Sequence, residues 1–82
     1  MAVHTIISPL PGVFYRRPAP GEPPFVEEGD PVAVGQTVGL VEIMKQFAEV
    51  RSEVAGVLDT FQVADNAMVS PGDTVALVSD DA

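Results

Sequence analysis

The sequence predicts an all-β domain, a small barrel or sandwich that is built from two similar halves. Three observations support this fold class: an internal repeat, a stretch in which apolar and polar residues alternate, and short apolar segments separated by glycine and proline. The chain has 82 residues, which is enough for one domain with a thin core. We therefore expect residues 1–82 to form a single domain.

The internal repeat consists of two ten-residue segments, Val32–Val41 (VAVGQTVGLV) and Val69–Val78 (VSPGDTVALV), which align without a gap at an offset of 37. Six of the ten positions are identical, whereas about one would agree by chance. Each copy has a Gly-X-Thr turn signal before a β-branched stretch, and each half begins with a glycine and a short strand, at Gly12–Tyr15 and Gly56–Leu58. The repeat therefore predicts two structural halves.

The two halves differ in length, because 23 residues separate Gly12 from Gly35 but only 16 separate Gly56 from Gly72. We assign the seven extra residues to Pro18–Pro24 (PAPGEPP), which contains four of the eight prolines. Proline cannot donate a backbone hydrogen bond to a sheet, and it stiffens the chain. This segment is therefore expected to protrude as a rigid loop.

Alternation of apolar and polar residues predicts two further strands. On one side of the first are Ala48, Val50, Ser52 and Val54, and on the other are Glu49, Arg51 and Glu53. In the next segment Val57, Asp59, Phe61 and Val63 share one parity, so that Asp59 interrupts the apolar side. Both segments have the period of a half-buried strand.

A helix is the alternative for Leu40–Val54, because the apolar residues at positions 40, 43, 44, 47, 50 and 54 also form a helical stripe. The repeat favours strands, since Leu40 corresponds to Leu77, which lies too close to the end of the sequence to begin a long helix. We therefore expect a strand, a turn near Met44-Lys45 and a second strand.

Lys45 is the only lysine of the chain. A pseudo-twofold pairing of the halves would place the turn at one end of the domain and both termini at the other. The amine of Lys45 would then project into water, where the active site of another protein could reach it. The sequence thus offers a single lysine for acylation.

Net charge and composition argue against several other functions. Twelve acidic and four basic residues give a formal net charge of −8, which argues against nucleic acid and anionic membranes as partners. The absence of cysteine excludes thiolate nucleophiles and Cys-ligated metals, and a single histidine, His4, makes a catalytic triad implausible. No apolar run approaches the ~20 residues of a membrane helix, and no secretion signal is recognisable. We expect no catalytic residues, no metal and a cytoplasmic location.

The segment that contains the lysine reads Glu42-Ile43-Met44-Lys45-Gln46. It resembles the Glu-(Ala/Val)-Met-Lys-Met biotinylation motif of biotinyl domains, the family found in biotin carboxyl carrier proteins of acetyl-CoA carboxylase, with Ile43 in place of Ala or Val and Gln46 in place of the last Met. SPLPGVFYR, GDPVAVGQTVGLVE and SEVAGVL resemble other stretches of these domains. The resemblance extends from about residue 6 to residue 79, and PAPGEPP corresponds in place to the "thumb" of the acetyl-CoA carboxylase carriers.

The resemblance implies a flattened barrel of two four-stranded antiparallel sheets with a thumb at about residues 16–24. It implies that biotin is attached to Lys45 and that biotin protein ligase reads a recognition motif formed by Glu42, Ile43, Met44 and Gln46. The domain would be a non-catalytic carrier that takes a carboxylate from a biotin carboxylase subunit to a carboxyltransferase. The acceptor would be an acyl-CoA, expected to be acetyl-CoA in fatty acid synthesis.

Two other functions fit the same residues. A lipoyl carrier domain also has an acylated turn lysine, but lipoyl motifs place Asp before that lysine, so Met44 argues against it. An unmodified β-barrel interaction module would instead use Ile43, Met44 and Phe47 as a contact patch, with Lys45 as an ordinary surface residue of a lysine-poor protein. A gain of one biotinyl mass distinguishes the carrier from the interaction module.

Overall fold

The computed structural model describes residues 2–80, and in this range it contains eight β-strands and no helix. The strands are β1 (Ala2–Ile7), β2 (Gly12–Tyr15), β3 (Pro31–Val32), β4 (Thr37–Ile43), β5 (Gln46–Arg51), β6 (Gly56–Phe61), β7 (Met68–Val69) and β8 (Thr74–Asp80). They form two four-stranded antiparallel sheets with the strand orders β1-β8-β6-β3 and β5-β4-β2-β7. The predicted fold class is confirmed. Residues 2–80 accordingly include no helical segment that could span a membrane.

One apolar core lies between the two sheets, and every strand contributes to it. Alternation directs one side of each strand inward, so that even the two-residue strands β3 and β7 each bury a valine. The most buried side chains, one per strand in chain order, are those of Ile6, Phe14, Val32, Val41, Val50, Leu58, Val69 and Val78. All eight strands thus share one core, and the turn between β4 and β5 is left exposed at the surface.

The repeat in the sequence appears in the structure as a pseudo-twofold relationship between the sheets. Strands β4 and β8 have the same succession of buried and exposed residues, and so do β1 and β5. At the end of β1 the buried hydroxyl of Ser8 donates to the carbonyl oxygen of Leu10, and at the end of β5 that of Ser52 donates to Val54, both at 2.6 Å. The β4–β5 turn is therefore the counterpart of the chain ends near β8 and β1.

Strand β6 departs from the predicted alternation. The pairing register with β8 shifts between Leu58 and Thr60, because a β-bulge adds Asp59 to this strand. Leu58 is fully buried and Val57 is 42% exposed. The prediction that Val57 shares the apolar side with Phe61 is therefore wrong, since the extra residue reverses the parity within the strand.

The loop between β2 and β3 spans residues 16–30, whereas the equivalent connection between β6 and β7 spans only residues 62–67. Its tip, Pro18–Pro23, is exposed, as predicted for the proline-rich insertion. At its base the amide of Phe25 donates to the carbonyl oxygen of Arg16 at 2.9 Å, and Val26 is buried in the core. The loop is thus closed at its base and projects beside sheet β5-β4-β2-β7; it is called the thumb below.

Candidate functional site

Met44 and Lys45 form a two-residue turn between β4 and β5. Their φ angles are 52° and 64°, so both residues have the left-handed backbone that a type I′ hairpin turn requires. Gly, Asn and Asp usually fill these positions, and each ordinary L-residue there costs about 1–2 kcal/mol. The antiparallel pairing of β4 with β5 imposes this turn, because it places Ile43 opposite Gln46 and Glu42 opposite Phe47. Strain held in this way concentrates at functional positions.

The side chain of Lys45 is exposed, and within residues 2–80 it makes no hydrogen bond or ion pair. The other three basic side chains all contact an acceptor of the chain: Arg16 binds the carbonyl oxygen of Val63 at 2.7 Å, Arg17 lies 3.6 Å from Asp65, and Arg51 lies 2.6 Å from Glu49. Lys45 therefore differs from every other basic residue in having an amine that is free to react with an approaching enzyme.

The residues next to Lys45 are also accessible. Met44 is 89% exposed and Phe47 is 59% exposed, while Gln46 is exposed and Ile43 is half-buried. The structure thus brings the five predicted site residues, 42–46, together at one end of the domain. An apolar surface around a free amine can be read by a protein partner.

Glu42 is the one residue of this group whose side chain is held by another strand. The Tyr15 hydroxyl on β2 donates to Glu42 Oε1 at 2.8 Å, and the Tyr15 ring centroid lies 6.3 Å from that of Phe47 on β5. This hydrogen bond to a carboxylate, with burial as a second cause, raises the pKa of the Tyr15 phenol above its ordinary value of 10.0. Tyr15 was not among the predicted site residues, because its proximity to Glu42 depends on the strand order.

A groove of about 490 Å³ separates the hairpin from the thumb. Tyr15, Glu42 and Phe47 line it on the side of the sheet, and residues 17–20 line it on the side of the thumb. The groove therefore contains two aromatic rings, the carboxylates of Glu42 and Asp65 and, at Arg17, a guanidinium. No cluster of metal-ligating side chains occurs within residues 2–80. The chemistry that this site offers is acylation of an exposed primary amine beside a groove of mixed polarity.

Comparison with known protein families gives one match over nearly the whole chain. The Biotin_lipoyl model, described as "Biotin-requiring enzyme", matches residues 4–78. This range contains the hairpin, the thumb, six complete strands (β2–β7) and most of β1 and β8.

Similar curated proteins carry one recurring name, biotin carboxyl carrier protein of acetyl-CoA carboxylase. The protein from Pyropia yezoensis is 42% identical over 74 residues, which are 90% of this chain and 47% of that protein. The chloroplastic protein 1 from Arabidopsis thaliana is 46% identical over 66 residues, 80% of this chain and 24% of that protein. The Haemophilus influenzae protein is 38% identical over 66 residues, 80% and 43% of the two chains. The chain spans less than half the length of these relatives.

A similar fold occurs within a much larger enzyme of known structure. The crystal structure of the Kluyveromyces lactis urea carboxylase superposes with a TM-score of 0.80 at 25% sequence identity. The match covers 96% of this chain but only 6% of the urea carboxylase chain. This arrangement of strands thus also occurs as a small part of a multi-part carboxylase.

Proposed function

This chain belongs to the Biotin_lipoyl family, and from that premise we propose that it is a biotin carboxyl carrier domain with biotin attached to Lys45. The single observation that carries the proposal is the position of Lys45. Its amine lies in an exposed turn, has no partner within residues 2–80 and follows Glu42-Ile43-Met44. The names of the relatives favour biotin over lipoate as the attached group.

The residues present fit a covalently attached biotin. Attachment forms an amide between the amine of Lys45 and the carboxyl group of biotin, with the elements of water lost in a reaction that a ligase couples to ATP. The amine needs no base from its own domain, because the ligase supplies the active site. Since Lys45 has no ion pair with any residue that the structure describes, its side chain can extend fully into a partner.

Once attached, biotin supplies the carboxyl-transfer chemistry that the side chains of this domain lack. The domain contributes position. Eight strands around one core hold the hairpin rigid, while the exposed lysine side chain provides reach. Tethering the group to a carrier raises its effective concentration at each partner site, into the mM range for a short flexible connection. The carrier itself is proposed to be non-catalytic.

Two partners of the loaded carrier are proposed from the names of the relatives. A biotin carboxylase would load the carboxylate, and a carboxyltransferase would deliver it to an acyl-CoA, with acetyl-CoA in fatty acid synthesis as the proposed acceptor. Biotin protein ligase is the third partner, and we propose that it reads Glu42, Ile43, Met44 and Gln46. We propose a cytoplasmic location, which cell fractionation tests separately because some relatives are named chloroplastic.

The test is incubation of the purified domain with biotin protein ligase, ATP and biotin, followed by measurement of the intact mass. We expect a gain of one biotinyl group and binding to an avidin resin, and we expect both to disappear in Lys45→Arg, which keeps the positive charge. Lipoate with a lipoate ligase serves as the matched control. No gain with biotin, or an equal gain in Lys45→Arg, would contradict the proposal.

A further inference from the structure

The five residues 42–46 make a single side-chain hydrogen bond within the described chain, the one between Tyr15 and Glu42. Met44, Lys45 and Gln46 are exposed and have no side-chain partner among residues 2–80. A partner that docks on this hairpin therefore meets one preorganised polar side chain, Glu42, next to several that are free to move.

Tyr15 has the geometry to fix both strands of the hairpin. It lies on β2, its hydroxyl reaches Glu42 on β4, and its ring packs against Phe47 on β5 in a tilted arrangement, with 50° between the ring planes. Glu42 and Phe47 are directly paired in the ladder, and one residue on each strand separates them from the turn. One side chain thus contacts the last outward-facing pair before the turn.

The hydrogen bond uses only part of the acceptor capacity of Glu42. Tyr15 donates to Oε1, and Oε2 has no partner among the described residues. A carboxylate accepts through both oxygens, and hydrogen bonds to an ionised acceptor are stronger than neutral ones. Glu42 therefore keeps one oxygen available, held in place through the other.

We propose that Tyr15 is a positioning residue for acylation of Lys45: by binding Oε1 of Glu42, it holds the carboxylate so that a donor of the modifying ligase can bind Oε2. This inference rests on the proposed function. Because the carboxylate is already held in place, less side-chain entropy is lost when the ligase binds. This strengthens binding without changing the chemical step.

A purely structural role for Tyr15 is the alternative, and its surroundings argue against it. Tyr15 is half-buried on the outer face of its sheet, whereas the neighbouring Phe14 is fully buried in the core. Tyr15 and Glu42, the acceptor of its hydroxyl, both line the groove beside the thumb. Tyr15→Phe removes this oxygen alone and keeps the ring that contacts Phe47.

The test measures the kinetics of biotin protein ligase with the intact domain as the varied substrate. We expect Tyr15→Phe to raise KM about fivefold with kcat unchanged, because a lost binding interaction appears in KM alone. Glu42→Ala should raise KM by at least as much, and the double variant should match Glu42→Ala. Thr37→Val is the control, since Thr37 on β4 donates to Glu49 on β5 at 2.7 Å, a side-chain hydrogen bond between the strands of the hairpin but away from the turn. It should leave KM unchanged.

Four outcomes would overturn the inference. An unchanged KM in Tyr15→Phe refutes it while leaving the proposed function intact, because wild-type acylation is measured in the same assay. A Tyr15→Phe effect of the same size in the Glu42→Ala background would show that Tyr15 acts independently of Glu42. A wild-type domain that is not acylated would refute the proposed function together with this inference. If Tyr15→Phe unfolds, an unchanged KM in Glu42→Ala also refutes it.

Discussion

The ring of Phe14 occupies the space that a side chain at Gly39 would need. A Cβ atom built on Gly39 would lie 2.5 Å from Cε1 of Phe14 and 2.8 Å from the carbonyl oxygen of Tyr15. In the other half, Leu58 is equivalent to Phe14 and Ala76 is equivalent to Gly39, so that the first side chain is smaller and the second is larger. The two halves therefore fill the same space with different pairs of side chains.

Replacing Gly39 by Ala should destabilise the domain by about 2 kcal/mol, because the added methyl group overpacks the core against an aromatic ring. Urea denaturation of the unmodified domain measures the change in the free energy of unfolding. Phe14→Leu together with Gly39→Ala copies the combination of the other half, and the pair should cost less than the sum of the two single changes. Strict additivity would show that Phe14 does not limit the space at Gly39.

Ser8 and Ser52 should contribute equally to stability. Each hydroxyl is buried and donates at 2.6 Å to the carbonyl oxygen two residues later. We expect Ser8→Ala and Ser52→Ala each to lower the free energy of unfolding by about 1–2 kcal/mol, because each change removes a buried hydroxyl together with the hydrogen bond that it donates. Ser70→Ala is the control, because Ser70 is exposed and its side chain makes no hydrogen bond within the described part of the chain. A cost confined to one of the two buried serines would contradict their equivalence.

The turn formed by Met44 and Lys45 should be a source of strain that substitution can relieve. Met44 has a φ of 52°, and Asn tolerates this conformation better than other residues with a side chain. Met44→Asn should therefore raise the free energy of unfolding by about 0.5–1 kcal/mol. Gln46→Asn places the same residue in the adjacent strand and should give no gain. Equal effects at the two positions would indicate that the turn stores no strain.

The pKa of Tyr15 can be measured directly, since Tyr15 is the only tyrosine and the chain has no tryptophan. Ultraviolet absorbance of the phenolate should give a pKa above 10.0 in the wild type, and in Glu42→Ala the pKa should fall toward that value. A raised folded-state pKa adds stability that is complete below pH 10 and is lost as the pH rises through the raised value. The same pKa in both proteins would mean that Glu42 does not cause the shift.

Acylation should change the net charge of the domain. Conversion of the Lys45 amine to an amide removes one positive charge, so that the formal charge goes from −8 to −9. Native electrophoresis at neutral pH should then show an increase in mobility toward the anode of about one-eighth. An acylated protein of unchanged mobility would indicate that the group is not joined to an amine through an amide.

The repeat made several features of this fold predictable. An offset of 37 between two segments correctly indicated two related halves, and the correspondence of Leu40 with Leu77 favoured strands over a helix for Leu40–Val54, where the structure has β4 and β5. The length difference between the halves located the thumb. These features follow from the order of residues along the chain, which a repeat records directly.

Contacts between distant strands and local irregularities were not predictable in this way. The bulge at Asp59 adds a residue without any periodic signal, so the parity of Val57 was assigned wrongly. The hydrogen bond between Tyr15 and Glu42 joins residues 27 positions apart and depends on which strands are neighbours. The turn at Met44 contains none of the residues that usually indicate a type I′ turn, and only the repeat pointed to its place.

The most direct test of the central claim locates the modification in the protein isolated from the cells that make it. Proteolysis followed by tandem mass spectrometry of the peptide that spans residue 45 identifies the atom that carries the group, which an intact mass does not. The account predicts biotin on Lys45 and on no other residue. A Lys45 that is unmodified in cells with an active biotin ligase, or biotin on the N-terminal amine instead, would contradict it.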